Sequence, residues 1–336
     1  MGNERGFESH FSGNNPGTNL LSVRNCEALA NIFRDFDWSF TGVTVRKTGA
    51  RVPFDHAHLS EVYHWGKYFF TVLFSKRGAH GPRISFSPDP ARPWYLIWPC
   101  LYLAGGRAAD AGTTPDVWMH FEDATTSKPV ALPDDGKPRW NFKAHDLSKS
   151  RVAAAFEEAF GYSLALDPLT AVGVCVEKGE ANGVHDGKIV NVPCQPASGK
   201  VYQRLVDNRG TDGLVEDLRT PTVGGKPVCV FIKRRDIQTR FTNDNSQCWL
   251  RDVGFVFSPE EVAAIGRFCA ILKLDWAGLD ILRDASSGLI YIVDANRTDM
   301  GPPIALPLND KVKSTRQLAV ALQRMFEETQ QKAIGG

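Results

Sequence analysis

The sequence lacks a charge excess and a long apolar run. Its 39 Lys and Arg residues nearly balance 38 Asp and Glu residues, so the formal net charge is only +1. The chain therefore has no surplus of positive charge that would indicate DNA, RNA or an acidic membrane as a partner. The charge-free run closest to a membrane span, residues 93–106, is too short and contains Pro99, so the sequence predicts no transmembrane helix.

Cysteine is sparse, and the usual catalytic motifs are missing. The seven cysteines are scattered, odd in number and form no Cys-x-x-Cys pair. Without a signal peptide at the start, this pattern predicts reduced thiols and a cytoplasmic location. No Walker loop or Ser-His-Asp arrangement is visible. His56, His58 and His64 lack cysteine or spaced acidic partners, so the sequence argues against zinc there.

Composition divides the 336 residues into three parts. Residues 1–18, rich in Gly, Asn and Ser, are predicted to be a mobile segment. Residues 19–140 are predicted to form a strand-rich N-terminal domain, after an initial helix over 22–36. They show no parallel nucleotide-binding pattern. Predicted strands there cover 43–46, 68–75, 84–86 and 94–103.

Residues 141–330 are more regular and indicate an α+β fold. Ser148 is an N-cap for a helix that ends before Gly161, and Ser258 opens another helix with Pro and two acids in its first turn. Strands alternate with these helices, and a last helix is predicted over 314–329. The order fits an α+β sandwich better than a βαβ series.

The segment 275–296 is the most informative in the chain. It predicts two strands joined by a polar turn with Gly288, and each strand carries a carboxylate, Asp280 and Asp294. Residues two apart share a face of a strand, so Asp294 and Asn296 point the same way. Asp294 follows an apolar run, where a carboxylate without a cation is costly. Two carboxylates and an amide oxygen suit Mg²⁺, which leaves its other positions to water and phosphate oxygens.

This hairpin resembles the metal-binding end of the ATP-grasp superfamily, which includes D-alanine–D-alanine ligases and glutathione synthetases. The matching residues are Ala277-Gly278-Leu279-Asp280 and Asp294-Ala295-Asn296. Asp294 stands where Glu is commoner in the family. The resemblance covers about 141–313 and implies an ATP-grasp core of two α+β lobes clasping ATP, with magnesium held by Asp280, Asp294 and Asn296.

The resemblance also implies residues for the nucleotide. Lys178 ends a strand before a loop with glycines at 179, 183 and 187, as the phosphate-binding lysine and lid of the family do, although the family lid is denser in glycine. Lys149 opposes the dipole of its helix and needs an anion, which a phosphate would supply. The remaining implied nucleotide contacts lie in or near the inter-lobe hinge and in the Asp-x-Arg strand: Gln203, Arg204, Leu205, Asp207 and Arg219. A plain turn at 207–208 is the alternative for Asp207.

A stretch rich in Lys and Arg is the candidate for binding the acyl group of the substrate. Period-two counting puts Lys233 and Arg235 on one face of a strand and Arg234 on the other. Arg240 begins a segment, Arg240 to Asn243, that resembles the family segment near the transferred phosphate. Arginine grips carboxylate and phosphate through two parallel bonds. Arg297 either holds a substrate carboxylate or pairs with Asp299 or Asp310.

The resemblance implies an ATP-dependent ligase that activates a carboxylate as an acyl phosphate and joins it to an amine, releasing ADP and phosphate. The catalytic set would then be Lys233, Arg235, Arg240 and Arg297. Its substrates would be small-molecule or peptide acids and amines, and a homodimer is left open. Two alternatives remain: a kinase-type phosphotransferase on the same core and a non-catalytic ATP-binding module.

Overall fold

The computed structural model describes residues 36–46, 51–110, 112–184, 186–241 and 247–335. The predicted mobile segment 1–18 and most of the predicted helix over 22–36 lie outside these residues. The chain divides into two compact units, Met1–His58 and Leu59–Gly336. The predicted boundary at 140/141 stays a prediction. In the first unit, an antiparallel sheet joins β1 (Phe36–Ser39), β2 (Gly42–Val45) and β3 (Arg51–Pro53).

A parallel sheet occupies residues 83–140, contrary to the sequence prediction. It has the order β5 (Arg107–Ala108), β4 (Arg83–Pro88), β6 (Val117–Phe121) and β7 (Arg139–Trp140), and every pairing is parallel. Two of these strands have only two residues each, too few to give a periodic pattern in the sequence. The predicted strand at 84–86 is confirmed as the centre of β4.

Two other predicted strands are wrong. The segment 68–75 falls largely in helix α1 (His56–Leu73), and 94–103 contains helix α2 (Ile97–Leu103). In α1, buried Tyr68, Phe69 and Val72 follow the spacing of one helix face. Aromatic and β-branched side chains have a high intrinsic strand propensity, so local propensity predicts a strand where the structure has a helix. The region is therefore mixed rather than poor in helix.

A three-stranded antiparallel sheet follows helix α3 (Lys149–Phe160). Ser148 caps the helix by accepting from the Arg151 amide, and Gly161 ends it with φ of 80°, as predicted. The sheet has the order β10 (Lys200–Arg204), β8 (Gly173–Gly179) and β9 (Lys188–Val192). We call it the small sheet.

The large sheet has six strands. Its path is β14 (Gln247–Arg251), β13 (Val230–Arg235), β11 (Val215–Val223), β15 (Trp276–Arg283) and β16 (Ile290–Asn296), and β12 (Lys226–Pro227) pairs with β11 beside this path. The predicted hairpin around Gly224 and Gly225 is confirmed, and both glycines have positive φ, of 59° and 73°. Helices α4 (Val253–Val256) and α5 (Pro259–Leu272) connect β14 to β15, and Ser258 forms the predicted capping box.

Two apolar cores cover the two faces of the large sheet. On one face, Leu218, Leu279 and Ile281 pack with residues of α3 and α5. On the other face, Phe231 and Trp276 pack with residues of α2, the parallel sheet and α6 (Leu308–Gly335). The second core covers only part of its face, and the rest of that face carries the charged residues described below. The α+β class predicted from the sequence is confirmed.

Among the described residues, no helix is long and apolar enough to cross a membrane. Six cysteines lie in the described part of the chain, and all six are free thiols. Five are buried and Cys194 is half-buried.

Candidate functional site

The predicted acidic hairpin forms the centre of the candidate site. Asp280 in β15 lies directly opposite Asp294 in β16, and Asn296 lies opposite Gly278. Directly paired residues of neighbouring strands point to the same face, so the three polar side chains share one surface. The register shifts beyond Asp280, and Val293 is an extra residue in β16. This irregularity is a β-bulge, which changes the direction of side chains next to a site.

Lysine neutralises Asp294 at this surface. The Lys149 amine, at the start of α3, lies 2.8 Å from Asp294 Oδ1 and donates to Asn182 Oδ1 at 2.6 Å. Lys149 is buried despite its charge. The sequence required an anion near this lysine, and Asp294 supplies one.

Arginine neutralises Asp280. Arg219 Nη1 lies 2.8 Å from Asp280 Oδ2, and Nη2 of the same guanidinium pairs with Oδ1 of buried Asp299. Burial alone would raise the pKa of Asp280, but the charges of Arg219 and Lys233 outweigh burial and lower it to about 2. Asp280 is thus a carboxylate at neutral pH.

The donor set fits a divalent cation that shares its shell with phosphate. Asp280 Oδ1 is buried and has no hydrogen-bond partner among the described residues. Asn296 Oδ1 accepts from the Thr298 hydroxyl and amide, each at 2.9 Å, which fixes the amide group. Within the described ranges no group of three or more His, Cys, Asp or Glu side chains could hold a metal ion. Two carboxylates and an amide therefore suit Mg²⁺, which needs few protein ligands.

Lys178 faces the hairpin from the small sheet. Its amine donates to the carbonyl of the bulged residue Val293 at 3.3 Å. Burial and the nearby charge of Lys149 lower its pKa to about 8, although Asp294 and Asp280 act in the opposite direction. The charge of Lys178 is therefore sensitive to pH in the mildly alkaline range, around pH 8.

The loop after Lys178 is tied to the small sheet by Asp186. Its carboxylate accepts from the Gly179 amide at 3.0 and 3.1 Å and lies 2.6 Å from the Lys200 amine. Gly183 in this loop has φ of 74°. His185 lies outside the described residues.

The predicted hinge runs from β10 toward the large sheet. Gln203 is buried, and its Nε2 has no partner among the described residues. Arg204 and Val206 line the cleft beside it. Leu205, between them, is half-buried. The Asp207 carboxylate instead pairs with Arg209 at 2.6 Å, as a local turn would.

The basic residues of β13 and the following segment divide into two groups. Lys233 and Arg235 share a face, as the alternation predicts, since Lys233 is registered with Asp217 and β13 continues without a shift. Arg235 is buried and pairs with Asp217. Arg240 turns toward the hinge, where it donates to the Val206 carbonyl at 3.0 Å and to Asn208 Oδ1 at 3.1 Å. Its predicted companion Asn243 lies outside the described residues.

Arg297 is positioned differently from its predicted role. Its guanidinium donates to the backbone carbonyls of Glu122, at 3.3 Å, of Ala124, at 2.9 Å, and of Ala144. Among the described residues, these carbonyls and not Asp299 or Asp310 are the partners of the buried guanidinium, and contact with a substrate carboxylate stays a prediction. Backbone carbonyls from distant parts of the sequence cannot be recognised from local motifs.

The described groups enclose a cleft between the two sheets. Its volume is about 1010 Å³, including the part open to solvent. The lining includes charged residues described above, among them Lys149, Lys178, Lys233, Arg235, Asp280 and Asp294. Cations from both sheets lie beside the two carboxylates of the large sheet, an arrangement that suits a metal-bound polyphosphate.

Sequence reasoning missed three polar residues that support the site. Asn182 contacts Lys149, Asn208 contacts Asp217 at 3.1 Å, and Asp299 contacts Arg219. Asn208 adjoins the predicted hinge and Asp299 closely follows the predicted metal ligands, so proximity to a motif was the available signal. Asn182, within the predicted lid, had no stronger signal than its position.

Comparison with solved structures finds partial similarity to ligases. The chain is similar to the ATP-grasp ligase PsnB complexed with minimal precursor, at 18% identity and a TM-score of 0.39, over 57% of this chain and 66% of that one. The chain thus spans slightly less than two thirds of the PsnB chain. No protein-family model and no curated protein matches the sequence.

Two further solved structures show similarity over a longer stretch. The D-alanine–D-alanine ligase from Bacillus anthracis aligns with 77% of this chain and 99% of its own, at 12% identity and a TM-score of 0.44. A RimK domain ATP-grasp protein from Sphaerobacter thermophilus aligns with 73% of this chain and 99% of its own, at 12% identity and a TM-score of 0.41.

Proposed function

We propose that this chain is an ATP-grasp ligase that uses Mg²⁺ and ATP to join a carboxylic acid to an amine. One observation carries the proposal: Asp280 and Asp294 face each other on paired strands, with Lys149 and Lys178 beside them, in a cleft between two sheets. This combination of opposite charges is costly to bury without a purpose and suits a metal polyphosphate.

The unpaired groups of the cleft suggest how ATP lies in it. The phosphates would lie between the Lys178 and Lys149 amines and the acidic pair. The base would lie at the other end, where the buried Gln203 Nε2 lacks a partner and can donate to a ring nitrogen. Val206 lines the same end, although its carbonyl already accepts from Arg240. A single elongated ligand such as ATP would reach both ends.

The reaction follows from what these groups stabilise. A substrate carboxylate oxygen attacks the γ-phosphorus, and the bond to the β–γ bridging oxygen breaks, so ADP leaves with that electron pair. Bound magnesium would supply charge neutralisation on the phosphates. Lys149 and Lys178 stabilise the charge on the same oxygens and hold donor and acceptor in line.

The second step forms the amide. The amine nitrogen attacks the acyl carbon, phosphate leaves with the electron pair of the carbon–oxygen bond, and the amine loses one proton to solvent. Lys233, half-buried beside the acidic hairpin, is the cation best positioned to hold the acid substrate. Arg235 is already paired with Asp217, so it would orient this part of the cleft. The acid and amine can be small molecules or peptides.

A hydroxylamine trap tests the proposal. The full chain would be incubated with MgATP, hydroxylamine and a panel of amino acids, dicarboxylic acids and peptides, while hydroxamate and ADP are measured together. We expect both products in equal amounts with at least one acid. Asp294→Asn, which keeps an acceptor for Lys149, should lose both.

Two outcomes would contradict the proposal. A phosphorylated product that is stable to hydroxylamine would indicate a kinase-type phosphotransferase. Nucleotide binding without ADP release across the panel and across a matching set of amines would indicate a non-catalytic ATP-binding module.

A further inference from the structure

Asp299 is the most buried carboxylate near the acidic hairpin, and its partner is shared. One guanidinium, that of Arg219, contacts both Asp280 and Asp299. We propose that Asp299 is a positioning residue that keeps Arg219 from fully occupying Asp280 and so leaves Asp280 able to bind a divalent cation. This inference rests on the proposed function.

The contacts favour Asp299 as the main holder of the arginine. Asp299 Oδ1 accepts from two nitrogens of Arg219, Nε at 3.2 Å and Nη2, whereas Asp280 Oδ2 receives only Nη1. The Asp299 side chain is 4% exposed and that of Asp280 is 26% exposed. One guanidinium therefore serves two carboxylates. Each carboxylate keeps one oxygen without a hydrogen-bond partner among the described residues, Asp280 Oδ1 and Asp299 Oδ2, and of the two residues only Asp280 lines the cleft.

Gly278 makes room for this arrangement. A Cβ atom at position 278 would lie 2.3 Å from Asp299 Oδ2, far inside contact distance. Gly278 is two residues before Asp280 in β15 and lies opposite Asn296. The Asp299 carboxylate therefore packs directly over the backbone of the strand that carries Asp280, and only glycine permits that approach.

The backbone of Asp299 is fixed from the other side. Its carbonyl accepts from the Leu96 amide at 2.8 Å, and the next residue, Met300, forms a β-bridge with Tyr95. These contacts hold the backbone of Asp299 beside the start of α2, so the carboxylate can move from Arg219 only by rotation of its own side chain. A fixed acid is what a positioning role requires.

Removal of the Asp299 charge should change metal binding through Arg219. Arginine can grip a single carboxylate with two parallel bonds. Without its second acid, Arg219 would turn wholly onto Asp280 and compete with a cation there. With Asp299 present, Arg219 keeps a negative partner when Asp280 binds the metal. The free energy needed to replace Arg219 by the metal at Asp280 is therefore smaller.

Binding of Mn²⁺ to the full chain saturated with ADP tests the inference. Protein-bound Mn²⁺, measured by electron paramagnetic resonance, should bind about tenfold more weakly in Asp299→Asn. The decisive comparison is a double-mutant cycle with Arg219→Gln. In that background Asp299→Asn should have little further effect.

An equal loss of affinity in both backgrounds, or none in either, would overturn the inference. Gly278→Ala provides a second route, because it displaces the same carboxylate without changing charge, and it should weaken Mn²⁺ binding in the same direction. The matched controls are Gly254→Ala, where an added Cβ meets nothing within 4 Å, and Asp252→Asn on the surface. Both should bind like the wild type.

The outcome separates this inference from the proposed function. If the wild-type chain binds no Mn²⁺ beyond that held by free ADP, both fail. If the wild type binds Mn²⁺ and Asp299→Asn binds it equally well, only the role of Asp299 fails.

Discussion

The Lys149 amine and Asp294 Oδ1 are 2.8 Å apart, so a lysine occupies the place where a metal ion would meet this carboxylate. The pair is largely buried, with Lys149 8% and Asp294 23% exposed at the side chain. An ion pair of this kind protects the site from an uncompensated charge in the absence of ligand. Under the proposed function MgATP would exchange these partners: the metal would bind Asp294 and a phosphate would bind Lys149.

The pair gives a prediction for stability. Asp294→Ala should lower the free energy of unfolding by about 3 kcal/mol, because it leaves a buried ammonium with only Asn182 as an acceptor. The double variant Lys149→Met/Asp294→Ala should recover much of that loss. Urea unfolding without nucleotide measures both, and additive losses would argue that the two residues act independently.

Lys178 gives a prediction for pH. Its pKa of about 8 means that the amine is mostly charged below that pH and loses its charge as pH rises through it. If the charged amine grips phosphate, the affinity for MgADP should fall by up to about tenfold between pH 7 and 9. Lys178→Arg should flatten this dependence, because arginine stays charged. Calorimetry on both proteins measures the change. If the affinity of the wild type does not vary over this pH range, Lys178 does not bind phosphate.

Gln203 gives a prediction in which stability and binding move in opposite directions. Its buried Nε2 has no partner in the described part of the chain, so Gln203→Leu should leave the ligand-free protein equally stable or slightly more stable. The same change should weaken ATP binding about fivefold through the loss of one hydrogen bond of ~1 kcal/mol. Thermal unfolding with and without ATP reports both quantities. Equal destabilisation in the two conditions would assign Gln203 to the framework of the small sheet.

Arg297 gives a prediction that distinguishes framework from substrate contact. Arg297→Met removes donors from three backbone carbonyls and should lower the unfolding free energy by about 3 kcal/mol or more. The folded fraction should retain the KM of the wild type for its acid substrate. A raised KM with unchanged stability would instead restore the role predicted from the sequence.

The acidic hairpin was predictable because its signals are local. A run of apolar residues ends in Asp294, a turn contains Gly288, and alternation puts Asn296 on the face of Asp294. The paired register confirms these relationships. Helix α3 was equally readable, because Ser148 and Gly161 are residues whose local chemistry starts and ends helices.

The partners of the charged residues were harder to predict. Arg297 contacts carbonyls that lie more than 150 residues away in the sequence, and no local pattern carries that information. Asp207 shows the opposite difficulty: its carboxylate pairs with Arg209, only two residues away, as the plain-turn alternative implies, and a contact with the ribose stays a prediction. The parallel sheet was missed because a two-residue strand such as β7 has no periodicity.

The extra residue at Val293 carries a consequence for any redesign of the hairpin. Residues two apart on a strand normally share a face, yet Ile292 lies in the core beside α3 and α5 while Asp294 lines the cleft, because Val293 is the extra residue between them. Deletion of Val293 would restore plain alternation and keep both side chains on their present faces. The deletion would remove the carbonyl that accepts from Lys178, whereas a substitution at Val293 would keep it, so a shortened hairpin should preserve the acidic pair and lose the lysine that faces it.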